Sequence, residues 1–203
     1  MMQNRVKFLT TLLLLVWLAS ACAPGQASVA SVTSAVTATT TASPAPAVPT
    51  AKGLTLSSPD VVEGGVLPVE YTCDGASSTL PLAWSGAPAM TESFAVIMHH
   101  VASPEDVHWY WVMYDIPASV TSLAKNGTGI GTLGTNSVNG KTAYSPPCSK
   151  GPGAKSYTYT VYALSAQPQL SVPASQVNRE TLLKAIQNIT LASAELHVTY
   201  ARS

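Results

Sequence analysis

Two apolar runs of strand length, joined by a short polar turn, constrain this 203-residue chain more than any other feature. Phe94 to Met98 is a continuous apolar run, and Trp109 to Tyr114 is rich in aromatic and branched residues. Both fit strands better than helices because they are short and are bounded by polar residues. Pro104, Glu105 and Asp106 between them suit a turn, so Ser93 to Pro117 predicts a hairpin. Three of the four histidines, His99, His100 and His108, flank that turn, which makes this end of the hairpin the expected place for a functional site.

Further strands are expected at Leu54–Leu56, Val66–Tyr71, Leu80–Trp84, Tyr157–Leu164 and Ala194–Tyr200, short runs separated by Gly, Pro and Asn turn signals. Seven short strands in one domain length suggest an all-β antiparallel sandwich or barrel. One helix is convincing: Asn178 can cap it, Val177 and Leu182 occupy hydrophobic-staple positions, and Leu182, Leu183 and Ile186 give it an apolar face. Lys125 to Gly153 is rich in Gly and Pro, lacks periodicity and reads as an ordered loop. Trp84, Trp109, Trp111, Tyr159 and Tyr162 read as core, and His197 as a surface position in the last strand.

The chain begins differently. Arg5 and Lys7 precede an apolar run to Ala19, then Ser20, Ala21 and Cys22, a secretory signal too short to span a membrane as a helix. Small residues before a cysteine resemble the lipobox of bacterial lipoproteins, with Ala19 where Leu is usual. That resemblance implies lipidation at Cys22 and an exported protein anchored to a bacterial outer membrane or cell surface; the alternative is cleavage and secretion. Residues 1–22 are thus expected to be the signal and 23–51 a tether. This Ala, Thr, Ser, Val and Pro segment has no large side chains to offset its ordering entropy. A tether of about 30 residues spans roughly 30 Å. Residues 52–203 are expected to be one folded domain. Without Arg5 and Lys7, eight basic residues face ten acidic ones, and no basic patch suggests a nucleic-acid partner.

With Cys22 lipidated, Cys73 and Cys148 remain as a pair in an oxidising compartment, predicting a disulfide over the alternative of two separate thiols.

Several segments, in order, resemble the phosphatidylethanolamine-binding protein family in its bacterial Raf-kinase-inhibitor-like branch. They are Ser58-Pro59 through Glu63-Gly64-Gly65, Tyr71-Thr72-Cys73-Asp74-Gly75, Leu82 to Pro88, Ser93-Phe94-Ala95, Trp111 to Pro117, Ala143 to Cys148 and Tyr157 to Leu164. The resemblance implies an antiparallel β-sandwich with a small anion-binding pocket at one end. It also implies binding of phospholipid head groups or other anions, or inhibition of a protease or kinase. The pocket motifs depart from the family pattern. The segment Asp-Pro-Asp-x-Pro aligns with His100 to Pro104, where only Pro104 persists; the family His before Trp aligns with Tyr110, and His-Arg with Lys155-Ser156, while Tyr144 matches a pocket Tyr.

Those alignments place His100, Tyr110, Tyr144 and Lys155 together, with His108 nearby. The expected lining is a cation, phenols and imidazole without a carboxylate, suited to a small anion or a polar aromatic ligand. The competing expectation is a filled end, with Tyr110 and His100 bonded to loop backbone. No metal site is expected: adjacent His99 and His100 in a strand face opposite ways, and His108 with one of them is an incomplete ligand set. No cofactor or enzymatic motif stands out. Gly127 to Gly131 follows no strand and opens no helix, and there is no nucleophile elbow, zinc-protease helix motif or dinucleotide fingerprint. The function classes left are a membrane-anchored binding module for a small ligand and a protein-interaction module acting on a protease or kinase.

Overall fold

The computed structural model describes residues 53–202. The expected signal, Cys22 and the tether lie outside the described residues. Eight strands form two antiparallel sheets: β1 (Thr55–Ser57), β2 (Leu82–Ser85), β3 (Ser93–Ser103), β4 (Asp106–Pro117), β5 (Ser122–Leu123), β6 (Thr132–Leu133), β7 (Lys155–Leu164) and β8 (Thr190–Tyr200). The three-stranded sheet has order β1-β2-β5, and the five-stranded sheet has order β6-β4-β3-β7-β8.

Alternation along β3 sets the layers. Val96 and Met98 face a core shared with Leu82 and Trp84 of the smaller sheet, together with Leu67, Tyr71 and Leu80. Ala95 and Ile97 face the opposite side, where Val112, Leu164, Val177, Leu182 and Ile186 form a second core. A strand buried on both faces reads as an unbroken apolar run, which is why Phe94–Met98 shows no polar alternation. The second face is covered by α1 (Arg179–Ile186), where the Asn178 side chain accepts a hydrogen bond from the Thr181 N–H at 2.8 Å. Leu182 and Ile186 are buried, and each contributes about 1.5–3 kcal/mol by leaving water.

The β3–β4 hairpin is longer than its apolar runs. It reaches Ser103 and Asp106, and its pairing with β7 stops at His99, so the tip diverges from β7, whose residues Lys155–Tyr157 stay paired to β8. The expected strand at Val66–Tyr71 does not form. Pro68 has no N–H to give a ladder, and Val69–Tyr71 coils into one short 3-10 turn, leaving an isolated bridge from Val66 to Thr199. The Lys125–Gly153 loop is ordered and includes β6 and a Thr135–Thr142 bridge.

Cys73 and Cys148 form a disulfide with Cα atoms 5.2 Å apart. Cys73 is held in a turn that needs Gly75: a Cβ there would lie 2.2 Å from the Val69 carbonyl oxygen.

Candidate functional site

A recess of about 360 Å³ opens beside the end of the hairpin, lined by His100, Asp106, His108, Tyr110, Lys150 and Lys155, with Ser137, Val138 and Cys148 in its wall. Three segments build it. β3 supplies His100. β4 supplies Asp106, His108 and Tyr110, and a register shift sharpens this contribution: Met98 pairs with Trp111 but His99 with Trp109, leaving Tyr110 as an extra, bulged residue. A bulge re-aims a side chain, here placing both Tyr110 and Trp111 on the inner face. The loop before β7 supplies Cys148 and Lys150, and β7 begins with Lys155.

Loop positions are fixed by polar bonds to β4. The Ser137 hydroxyl accepts from the Trp109 N–H at 2.8 Å and donates to its carbonyl at 3.1 Å. The Ser145 N–H donates to the Tyr110 carbonyl at 2.8 Å. These contacts hold both loop arms against the strand bearing the site.

The imidazoles are oriented. His100 Nδ1 lies 2.7 Å from the Ser156 carbonyl, which can only accept, so Nδ1 carries the proton and Nε2 remains for other partners. The His100 and His108 rings stack at 6.4 Å with planes 10° apart. His108 Nε2 is 3.1 Å from Asp106 Oδ1. That carboxylate corrects the expectation of a lining without one: Asp106, read as a turn residue, is the first residue of β4 and belongs to the recess.

Tyr144 is the second correction. Its ring packs edge-on against Trp111 at 5.7 Å, and its hydroxyl donates to the Tyr71 carbonyl at 3.1 Å. It belongs to the core between the sheets and does not line the recess, because the next residue, Ser145, ties the loop backbone to Tyr110. Burial pushes the Tyr144 hydroxyl pKa well up. Of the expected ligand set, His100, Tyr110, Lys155 and His108 are brought together and Tyr144 is not.

Sequence reasoning missed three residues here. Lys150 sits in an aperiodic loop, where only its proximity to the paired Cys148 gives a clue. Tyr157, read as part of a core strand, packs 5.4 Å from both His100 and Tyr110 and is fully buried, yet its hydroxyl has no hydrogen-bond partner among the described residues. Ser149, between recess residues Cys148 and Lys150, is likewise buried with an unpartnered hydroxyl. Buried hydroxyls normally find partners, but neither residue lines the recess and both hydroxyls are sealed from solvent, so they belong to the packing behind it. Burial also raises the Tyr110 pKa, so its hydroxyl stays protonated and can donate.

Two other grooves lack this chemistry. The one along Ser58–Val66 contains a single ionisable group, Asp60, which already accepts from the Tyr71 hydroxyl. The one between Gln169–Ser171 and α1 contains only Lys184. His99 faces away from the recess; burial, then the Arg179 charge, lowers its pKa. His197 is half-exposed between Glu63 and Glu195, at 2.8 and 3.3 Å. Among the described residues, no cluster of three His, Cys, Asp or Glu side chains could hold a metal, and no serine hydroxyl bonds a histidine ring. No helix among them is long and apolar enough to cross a membrane.

Comparison with known proteins follows the same outline. The sequence model described as phosphatidylethanolamine-binding protein matches residues 57–201. A UPF0098 protein of Methanothermobacter thermautotrophicus is 34% identical over 143 residues, covering 68% of this chain and 92% of that one. A solved structure from Chlamydia trachomatis, described as a homologue of phosphatidylethanolamine-binding protein, superimposes with a TM-score of 0.68 at 28% identity, covering 74% of this chain and 99% of that one. Escherichia coli YbcL, described as a member of the mammalian family of that name, shares the fold with a TM-score of 0.67 at 24% identity, over 75% of this chain and 100% of that one.

Proposed function

The chain belongs to the phosphatidylethanolamine-binding protein family, and from that premise we propose that it is a non-enzymatic binding module that takes a small phosphate-like anion in the hairpin recess. The observation that carries this reading is the composition of the recess. Lys150 and Lys155 set two cations against one carboxylate, Asp106, while Tyr110 supplies a neutral donor. Charge-assisted hydrogen bonds are stronger than neutral ones, and partial exclusion of water strengthens them further. Asp106 and His108 at the mouth suit a ligand whose anionic head carries an ammonium group, as a phospholipid head group does. The inner lining differs from the family pattern at His100, Tyr110 and Lys155, so this is an altered version of the family pocket, within the Raf-kinase-inhibitor-like branch.

The same reading makes the protein an exported lipoprotein, lipidated at Cys22 and carried on the 23–51 tether above a bacterial outer membrane or cell surface. Its support is the small-residue run before Cys22 and the uncharged, aromatic-free composition that follows. Cys22→Ser should move the protein from the membrane fraction to the soluble fraction; unchanged partitioning removes the anchor.

Calorimetric titration with inorganic phosphate and with phosphoethanolamine tests the ligand. Millimolar affinity is expected, with tighter binding of phosphoethanolamine and a loss of about tenfold or more in Lys150→Ala/Lys155→Ala, since a hydrogen bond to a charged group contributes about 1.5–3 kcal/mol. No heat with either ligand at millimolar concentration overturns the reading.

One observation favours a second reading, inhibition of a protease or kinase. The hairpin tip leaves its pairing with β7 after His99, and Val101 and Val138 near the recess are 52% and 51% exposed. A panel of serine proteases and kinases that all remain uninhibited at micromolar protein removes it.

A further inference from the structure

We infer that the Cys73–Cys148 disulfide is a thiol-sensitive latch on the wall of the recess, opened by a dithiol that can close to a cyclic disulfide. Its consequence for ligand affinity rests on the anion-binding reading; its mechanism rests on how the disulfide is placed. Cys148 lines the recess, between the buried residues Pro147 and Ser149, and Lys150 follows two positions later. From Cys148 to Gly153 the described residues show no backbone hydrogen bond to the rest of the domain. Besides the burial of Pro147 and Ser149, three contacts hold the loop. They are the disulfide itself, the Cys73 N–H to the Pro147 carbonyl at 3.1 Å, and the Arg202 guanidinium, whose Nη1 donates to Cys148 Sγ at 3.7 Å.

The electrostatics around the two sulfurs are unequal. Asp74 follows Cys73 and pairs with Arg202 Nη2 at 2.7 Å, also accepting from the Tyr200 hydroxyl at 2.5 Å. Arg202 itself reaches across to Cys148. A guanidinium stabilises a neighbouring thiolate, and a sulfur that carries negative charge more easily is the better leaving group. Both cysteines are only partly buried, so an external thiol can reach them.

The chemistry follows from that asymmetry. A thiolate of the dithiol attacks Cys73 Sγ, and the Cys73–Cys148 bond breaks with its electron pair leaving on Cys148 beside Arg202. The second thiol of the reductant then attacks the mixed disulfide and releases Cys73. Two electrons have passed to the protein, the reductant leaves as a cyclic disulfide, and two protons end on the cysteine thiols. With the covalent tie gone, the loop bearing Ser149 and Lys150 swings free of the recess, and the anion loses one of its two cations.

The test uses the full chain, oxidised and after dithiothreitol treatment, with amide hydrogen exchange and inorganic phosphate titration as parallel readouts. Exchange of the Cys148 and Ser149 amides, the buried part of the loop, should accelerate at least tenfold on reduction while the native circular dichroism is kept, and phosphate affinity should fall at least fivefold and return on reoxidation. Accelerated exchange in a protein that binds no phosphate in either state supports the latch and refutes the anion reading. Phosphate binding with identical affinity and identical loop exchange in both states overturns the latch alone. Loss of the native circular dichroism on reduction also overturns it, because the domain would then not fold without the bridge. Arg202→Gln should slow dithiothreitol reduction about threefold, as expected for a leaving thiol whose pKa has risen, without moving phosphate affinity; an unchanged reduction rate removes Arg202 from the mechanism.

Discussion

Replacing Tyr144 with Phe separates a scaffold tyrosine from a site tyrosine. The Tyr144 hydroxyl donates to the Tyr71 carbonyl at 3.1 Å, and that carbonyl has no other hydrogen-bond partner among the described residues. Tyr71 is 2% exposed, so water does not readily replace the lost donor. The Phe ring keeps the edge-on contact with Trp111, so no cavity opens and the cost is that of one unmatched buried carbonyl, about 1–2 kcal/mol. In a domain of about 150 residues each kcal/mol moves the thermal midpoint by about 2–4 °C. Tyr144→Phe should therefore melt about 2–8 °C lower by circular dichroism while its phosphate affinity stays within about twofold of the parent. Tyr110→Phe should do the reverse, weakening phosphate by about tenfold with a smaller change in midpoint. If Tyr144→Phe loses about tenfold in affinity at an unchanged midpoint, the placement of Tyr144 in the core rather than in the recess is wrong.

Two further outcomes follow from the same contacts. The Cys73→Ser/Cys148→Ser pair removes a bridge across a sequence separation of 75. The chain-entropy relation gives a loss of about 4.5 kcal/mol, or about 9–18 °C in thermal midpoint; a shift under about 2 °C would contradict a constrained unfolded state. His99 has its folded pKa held below the unfolded value of 6.5 by burial and then by Arg179. The neutral ring thus adds stability that is present above that value and is lost as pH falls through the folded pKa. His99→Gln should flatten the decline in thermal midpoint between about pH 7 and pH 5; an unchanged slope rules this out.

The scaffold was legible where local chemistry and tertiary packing agree. Asn178, Val177 and Leu182 announce the helix because a cap and a staple are local devices, and the bridge between Cys73 and Cys148 matches the pairing expected of them. Val66–Tyr71 misled because its branched residues have strand propensity, whereas Pro68 withholds the N–H that a ladder requires. β5 and β6, two residues each, are too short to carry any period. The hairpin tip from His99 to Ser103 lies beyond the apolar run that marks the strand, yet cross-strand pairing with Asp106–Trp109 keeps it extended, and Asp106, read as a turn residue, is part of that pairing.

Within the site, residues on strands were legible and residues brought by loops were not. His100 and Tyr110 follow from their places on the hairpin, although the bulge that turns Tyr110 inward leaves no mark in the sequence. Tyr144 has the residue type of the family pocket but the wrong orientation, because its direction depends on the Ser145 bond to Tyr110, 35 residues earlier. Lys150 owes its position to a disulfide, and Tyr157 looks like any other tyrosine in a buried strand until its hydroxyl proves to have no partner.

The most direct test is a phosphate titration followed residue by residue in the 1H–15N spectrum. Saturable shifts should centre on His100, Tyr110, Lys150 and Lys155, with Tyr144 and the Ser58–Val66 groove unmoved. Shifts confined to another surface, or none at millimolar phosphate, would contradict an anion site in the hairpin recess.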